Sequence, residues 1–118
     1  MTRAHAPSEP WTHPKAIDEI RRAAHRSALW GPRYPQRFAD RLAQALRDIQ
    51  AFPGAWPLHL AGTRRYALRD LPYYVVYRAC DPLEVYALCH ERSRPGAWLD
   101  RLETYAASPA PAPAGVSF

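Results

Sequence analysis

The chain has 118 residues, enough for one ordinary domain, and 47% of them are hydrophobic, enough for one packed core. No apolar run approaches the roughly 18 residues of a membrane-spanning helix, and residues 1–14 lack the apolar stretch of a secretory signal. These features argue against a wholly disordered chain and exclude a transmembrane protein, and they predict a cytoplasmic location.

The charge balance is basic, with a net charge of +5 from 16 basic and 11 acidic residues. Lys15 is the only lysine, and the other basic residues are arginines, whose planar guanidinium binds phosphate and carboxylate through two parallel hydrogen bonds. This composition suits a polyanionic partner, either a nucleic acid or an acidic protein. A coding bias towards arginine codons would explain it equally well.

Prolines leave two long stretches free for helices, residues 15–31 and 36–52. Pro14 suits the first turn of the first helix, and Gly31 would end that helix. Thr12 or His13 would occupy the capping position, and threonine is the better capping residue of the two. Apolar residues recur at helical spacing in the first stretch, at Ile17, Ile20, Ala24 and Ala28. We expect two helices joined by a short link.

The second stretch carries the stronger apolar stripe, formed by Phe38, Leu42, Ala45, Leu46, Ile49 and Phe52. Pro53 and Gly54 would end this helix. An isolated helix of this length is only marginally stable in water, so the stripe must pack on another element. We expect Leu42, Leu46 and Ile49 to face a sheet that contains Leu68, Val75 and Leu88.

Three segments have the pattern of strands: residues 64–70, 73–78 and 84–90. The last two would form a hairpin in which Tyr74 lies opposite Cys89 and Cys80 lies in the loop. That register separates the two cysteines, so we expect two free thiols. A short helix is expected after Pro95, carrying Trp98, Leu102 and Tyr105.

These elements predict an α+β fold in which an N-terminal antiparallel helical hairpin packs on a small antiparallel sheet of three to four strands, followed by a short C-terminal helix. Residues 1–12 would form an irregular segment or a weak edge strand, because Pro7 and Pro10 disfavour a regular strand. Residues 13–105 would form a single domain. Residues 106–118 are rich in proline and alanine and would be a disordered tail.

Several short motifs occur in a fixed order along residues 13–102. The helix ending at Ile49, Phe52 and Pro53 is followed by the pair Arg64-Arg65, then by Leu71-Pro72-Tyr73 with Tyr77, and finally by His90, Arg94-Pro95, Trp98 and Arg101. This order resembles the ParE-like branch of the RelE/ParE superfamily, the toxins of type II toxin–antitoxin systems. Two features depart from the family pattern: Ser93 shifts the final motif by one residue, and the opening strand is replaced by the proline-containing segment 6–12.

The resemblance implies a toxin that inhibits DNA gyrase by binding it, and a small acidic antitoxin that neutralises it in a hetero-oligomeric complex. It implies no cofactor. Two alternatives remain open: a ribosome-dependent mRNA endonuclease of the RelE kind, and a family member that binds an antitoxin but is not toxic. The sequence favours a protein that is not an enzyme, since no Ser-His-Asp or Cys-His arrangement stands out and the histidines have no metal-ligand spacing.

Candidate residues follow from the two main functions. For a nuclease, His90 could transfer protons while an arginine holds the scissile phosphate, which gives the set His90, Arg92, Arg94 and Arg65. His90 could equally cap the core and bond to the neighbouring backbone. For contacts with the target or the antitoxin, the set is Arg64, Arg65, Arg69, Trp98 and Arg101. The three strand arginines could instead form an ordinary solvated strand face.

Overall fold

A computed structural model describes the backbone of residues 10–106 and the side chains of residues 10–102. The elements in chain order are β1 (Trp11–Thr12), α1 (Pro14–Ser27), α2 (Tyr34–Ala51), β2 (Arg64–Ala67), β3 (Tyr73–Arg78), β4 (Glu84–His90) and α3 (Leu99–Ala106). Short 3₁₀ turns occupy Ala28–Trp30 and Leu60–Gly62. The predicted α+β class is confirmed, and the predicted tail lies outside the described residues.

The sheet has four strands in the order β1-β4-β3-β2. The pairs β2–β3 and β3–β4 are antiparallel as predicted, but the two-residue strand β1 runs parallel to β4. Parallel neighbours need a long crossover connection, and both helices and two strands separate β1 from β4 in the chain. The Trp11 and His13 amides donate to the carbonyls of Leu83 and Val85, which anchors the N-terminal segment at the sheet edge.

The hairpin register is confirmed at Tyr74, which lies opposite Cys89. Nearer the turn the register shifts, because Val76 pairs with Ala87 while Tyr77 pairs with Val85. Tyr86 is therefore the extra residue of a β-bulge, and it shares a sheet face with Ala87. The two cysteines are free, Cys80 exposed and Cys89 buried.

Each face of the sheet has its own hydrophobic core. The helical hairpin covers one face, where the buried residues include Phe38, Ala45, Ile49, Val75, Tyr77 and Leu88. The C-terminal segment covers the other face, where they include Tyr74, Val76, Tyr86, Ala87, Trp98 and Leu102. The sheet is thus the middle layer of three, and the expected packing of Ile49 against Val75 and Leu88 is confirmed.

The apolar stripe of α2 is narrower than predicted. Leu42 and Leu46 are only partly buried at the margin of the core, and Phe52 is 65% exposed. The prediction for Phe52 was wrong because α2 ends at Ala51, and the backbone of Phe52 turns out of the helix with φ −139°.

Of the two capping candidates, His13 caps α1: its Nδ1 accepts from the Lys15 amide at 3.0 Å, and burial lowers the pKa of His13, which favours the neutral ring that can accept. Two further local predictions were wrong. Strand β2 ends at Ala67, so Arg69 lies in the following turn. Trp98 precedes α3, which begins at Leu99.

An ion pair joins α1 to the C-terminal helix across the outer edge of β4. Arg101 Nη2 lies 2.7 Å from Glu19 Oε2, and Arg101 Nη1 donates both to Glu19 Oε1 at 2.9 Å and to the Tyr86 carbonyl at 2.8 Å. Glu19 Oε1 also accepts from the Leu88 amide at 3.1 Å. β1 pairs only with Glu84 and Val85, so the edge of β4 beyond them has no strand partner there. The Arg101 and Glu19 side chains bond to two backbone groups on that edge, the Tyr86 carbonyl and the Leu88 amide.

Candidate functional site

The four candidate nuclease residues do not form one cluster. His90 lies on the hairpin side of the sheet, where its ring meets Tyr73 edge-on at 5.3 Å, and Tyr73 in turn packs against Phe38. Arg65 lies on the opposite side, with its guanidinium 3.9 Å from the centroid of the Tyr74 ring. The sheet therefore separates the phosphate-binding candidate Arg65 from the proton-transfer candidate His90.

The surroundings of His90 are local. Its Nδ1 accepts from the Arg92 amide at 3.0 Å, and its carbonyl accepts from the Ser93 amide at 2.9 Å. Arg92 and Arg94 are exposed in the turn that follows β4. His90 thus holds the turn after the last strand, which is the structural role that the sequence left open beside the catalytic one.

The five candidate binding residues divide into surface and interior. Trp98 is buried in the C-terminal core with 1% of its surface exposed, and Arg101 is held by Glu19. Arg64 is half-buried and donates to the Trp56 carbonyl at 2.7 Å. Arg65 stays partly accessible, and Arg69 is exposed. Trp98 and Arg101 therefore attach the C-terminal segment to the domain, whereas Arg65 and Arg69 offer charge at the surface.

One further histidine, which no sequence motif singled out, lies near Arg65. His59 packs against Tyr74 at 5.8 Å and against Trp98 at 5.7 Å between ring centroids. Its Nε2 is buried and has no hydrogen-bond partner within residues 10–102. Burial, followed by the charge of Arg65, lowers the pKa of His59, so the neutral imidazole is favoured. No local signal could have identified this site, because His59 lies in a loop and its ring contacts, Tyr74 and Trp98, are distant in the chain.

Comparison with known proteins gives the family. The family model described as the ParE toxin of the type II toxin–antitoxin system parDE matches residues 12–95. The chain belongs to the ParE toxin family. The match spans the domain from β1 through β4 and ends before Trp98 and Arg101. A comparison with curated proteins found no significant match. Membership implies a cognate antitoxin as partner, and it confirms the resemblance that the motifs indicated.

The toxin carries an exposed apolar patch beside its C-terminal core. Leu58 is 68% exposed, Leu60 41% and Leu99 40%. Leu60 and Leu99 meet over Gly96: a Cβ at Gly96 would lie 3.4 Å from one Leu60 methyl and 3.0 Å from one Leu99 methyl. Gly96 also has φ +82°, which disfavours any side chain there. We call Leu60 and Leu99 the leucine patch; the exposed Leu58 lies two residues before Leu60.

Two classes of site are not found in the described part of the toxin. No group of three or more histidine, cysteine, aspartate or glutamate side chains within it is arranged to hold a metal ion. None of its helices is both long enough and apolar enough to cross a membrane.

Proposed function

We propose that this ParE-family toxin inhibits DNA gyrase by binding it and that a cognate antitoxin neutralises the toxin. Support beyond family membership comes from the surroundings of His90: its Nδ1 accepts from the Arg92 amide, which gives the ring a structural role, and the sheet separates it from Arg65. A nuclease must bring a phosphate-binding group and a proton-transfer group to the same reacting atoms. A protein that acts by binding needs only a complementary surface.

The purified toxin is expected to inhibit plasmid supercoiling by gyrase, and His90→Ala is expected to inhibit it within about twofold of wild type. Removal of a general acid or base costs roughly 10²–10⁴-fold in a catalysed reaction, but a binder loses little when a turn histidine is replaced. The measurement is the toxin concentration that halves supercoiling.

Thermal unfolding of His90→Ala serves as the control, since His90 also holds the turn after β4. Unimpaired supercoiling, together with ribosome-bound mRNA cleavage that His90→Ala abolishes, would contradict the proposal. Antitoxin binding without any effect on supercoiling or translation would instead identify a non-toxic family member.

A second candidate function is mRNA cleavage at His59. The neutral His59 ring lies against Tyr74, and the Arg65 guanidinium covers the same tyrosine ring, so a base and a phosphate-binding group are neighbours there. Ribosome-bound mRNA cleavage by wild type and by His59→Gln tests this function. Loss of cleavage in His59→Gln but not in His90→Ala would favour it over gyrase binding.

We propose that the leucine patch contacts the antitoxin. Apolar side chains at the centre of an interface carry much of its binding energy, and exposed leucines on a basic chain suit an acidic partner with apolar anchors. Burying one leucine is worth roughly 1.5–3 kcal/mol, which corresponds to about tenfold or more in affinity.

Leu60→Asp is therefore expected to weaken antitoxin binding at least tenfold. The measurement is the dissociation constant for a small acidic protein encoded beside the toxin gene, which serves as the candidate antitoxin. Leu29→Asp is the matched control, because Leu29 is 83% exposed in the 3₁₀ turn after α1, on the helical hairpin. Tight antitoxin binding by Leu60→Asp and weak binding by Leu29→Asp would show that the antitoxin contacts the helical hairpin instead.

A further inference from the structure

The helical hairpin carries an unusual excess of arginine. Between residues 20 and 47 the chain has seven arginines and one acidic residue, Asp40. Six of these arginines are exposed and Arg41 is half-exposed. The excess is concentrated on the solvent side of the hairpin, because the opposite side packs on the sheet. It therefore creates a local positive field that the net charge of the chain understates.

A continuous groove runs along the outer side of α2. One part, of about 450 Å³, is lined by residues from Pro32 to Arg41, and the adjoining part, of about 620 Å³, extends from Asp40 to Tyr66 and Arg69. The two parts share Asp40 and Arg41. Five arginines line the groove: Arg33, Arg37, Arg41, Arg47 and Arg69. We call this the α2 groove.

Most of the positive charge in the α2 groove is available to a ligand. Within residues 10–102, only Arg41 of the five arginines forms an ion pair, with Asp70 at 3.2 Å. The two carboxylates in the groove keep their charge, because their hydrogen-bond donors are neutral: Gln36 for Asp40, and Gln44 and Tyr66 for Asp48. The lining therefore has five positive and two negative side chains. The groove thus offers four guanidinium groups without an ionic partner there.

The spacing of these arginines suits an extended array of anions. Arg33, Arg37 and Arg41 follow one another at four-residue intervals, which place them about 6 Å apart along the same side of the helix. From Arg33 to Arg47 the array extends about 21 Å. A nucleic-acid double helix presents a comparably regular line of charge, with one phosphate per roughly 3.4 Å on each strand.

The lining of the α2 groove favours nucleic acid over an acidic protein. Protein–protein interfaces have an apolar centre depleted of charge, whereas protein–nucleic acid interfaces are more polar and strongly positive. In the groove the only side chains without a polar group are Pro32 and Ala43. Tyr66 is the only aromatic residue in the lining, and its hydroxyl is bonded to Asp48, so the groove lacks the series of stacking surfaces that single strands use.

We infer that the α2 groove binds the sugar-phosphate backbone of a double-stranded nucleic acid. This inference goes beyond the proposed gyrase and antitoxin binding and does not depend on either. Guanidinium groups contact phosphates without reading bases, so the binding is independent of sequence and sensitive to salt. The double helix is a ligand whose regular line of charge and polar surface suit the groove.

The test measures fluorescence anisotropy of a labelled 20-base-pair DNA duplex as the full-length toxin is added at several salt concentrations. With four unpaired arginines engaged, the logarithm of affinity should fall against the logarithm of salt concentration with a slope of about −3 to −4. Arg37→Gln/Arg47→Gln should weaken binding at least tenfold at about 0.1 M salt and reduce the slope by about 2.

The matched control is Arg21→Gln/Arg22→Gln, which removes the same charge from the exposed face of α1. This control should bind within about threefold of wild type; equal weakening by both double variants would show attraction by net charge alone and overturn the assignment. A polyglutamate peptide that binds more tightly than the duplex would also overturn it. An RNA duplex of the same sequence shows whether the groove prefers the DNA or the RNA backbone. Tighter binding of either duplex supports the inference.

Discussion

Arg101→Ala is expected to lower the free energy of unfolding by about 2–4 kcal/mol. Removing one partner of a buried ion pair leaves the other charge uncompensated, which typically costs about 3–5 kcal/mol, and the partial exposure of Glu19 reduces that value. The substitution also leaves the Tyr86 carbonyl without its donor. Chemical denaturation monitored by tryptophan fluorescence measures the change.

Two further variants separate the ion pair from side-chain bulk. Arg101→Lys keeps the charge but loses the two-pronged contact with Glu19, so it should recover only part of the lost stability. Arg92→Ala removes an exposed arginine that forms no ion pair within residues 10–102 and should change stability by less than about 0.5 kcal/mol. A loss below about 1 kcal/mol in Arg101→Ala would show that solvent screens the pair as it does at an open surface.

The ion pair also bears on how the C-terminal segment contributes to function. Trp98 fills the second core, and Arg101 attaches α3 to α1 and β4. Deletion of the chain from Trp98 onward would therefore remove part of a hydrophobic core as well as any contact with a target. Point substitutions in the leucine patch, such as Leu60→Asp, test binding without that loss of packing.

The features that sequence analysis predicted correctly depend on local pattern. The 3.6-residue period of α2 identified Ile49 as a core residue, and the aromatic and β-branched run of β3 with the turn at Asp81-Pro82 placed Tyr74 opposite Cys89. Each of these signals extends over fewer than about 20 residues, so one sequence contains enough information to interpret it.

The features that sequence analysis missed depend on residues far apart in the chain. Glu19 and Arg101 are 82 positions apart, and neither has a sequence pattern that indicates the other. The parallel pairing of β1 depends on the edge that β4 offers, and the position of His59 depends on Tyr74 and Trp98. The burial of Trp98 was missed for the same reason. Trp98 lies in a motif that was expected to contact a partner, but its ring is buried against the sheet.

Ile49→Ala is expected to destabilise the toxin by about 3 kcal/mol, within the range of about 2–5 kcal/mol for removing a large buried aliphatic side chain. Ile49 is fully buried between the hairpin and the sheet, so its removal leaves a cavity that rigid neighbours on both sides cannot fill. In a domain of this size, a loss of 3 kcal/mol should lower the melting temperature by more than about 10 °C.

Leu46→Ala is the matched comparison on the same helix. Leu46 is partly buried at the edge of the same core, so solvent and neighbouring side chains can occupy the vacated space, and the cost should be about half that of Ile49→Ala. Ile49→Val, which removes one methylene group, should cost about 0.5–1.5 kcal/mol. Equal losses in Ile49→Ala and Leu46→Ala would show that the apolar stripe of α2 is centred between them, and that the hairpin sits on the sheet at a different rotation from the one described.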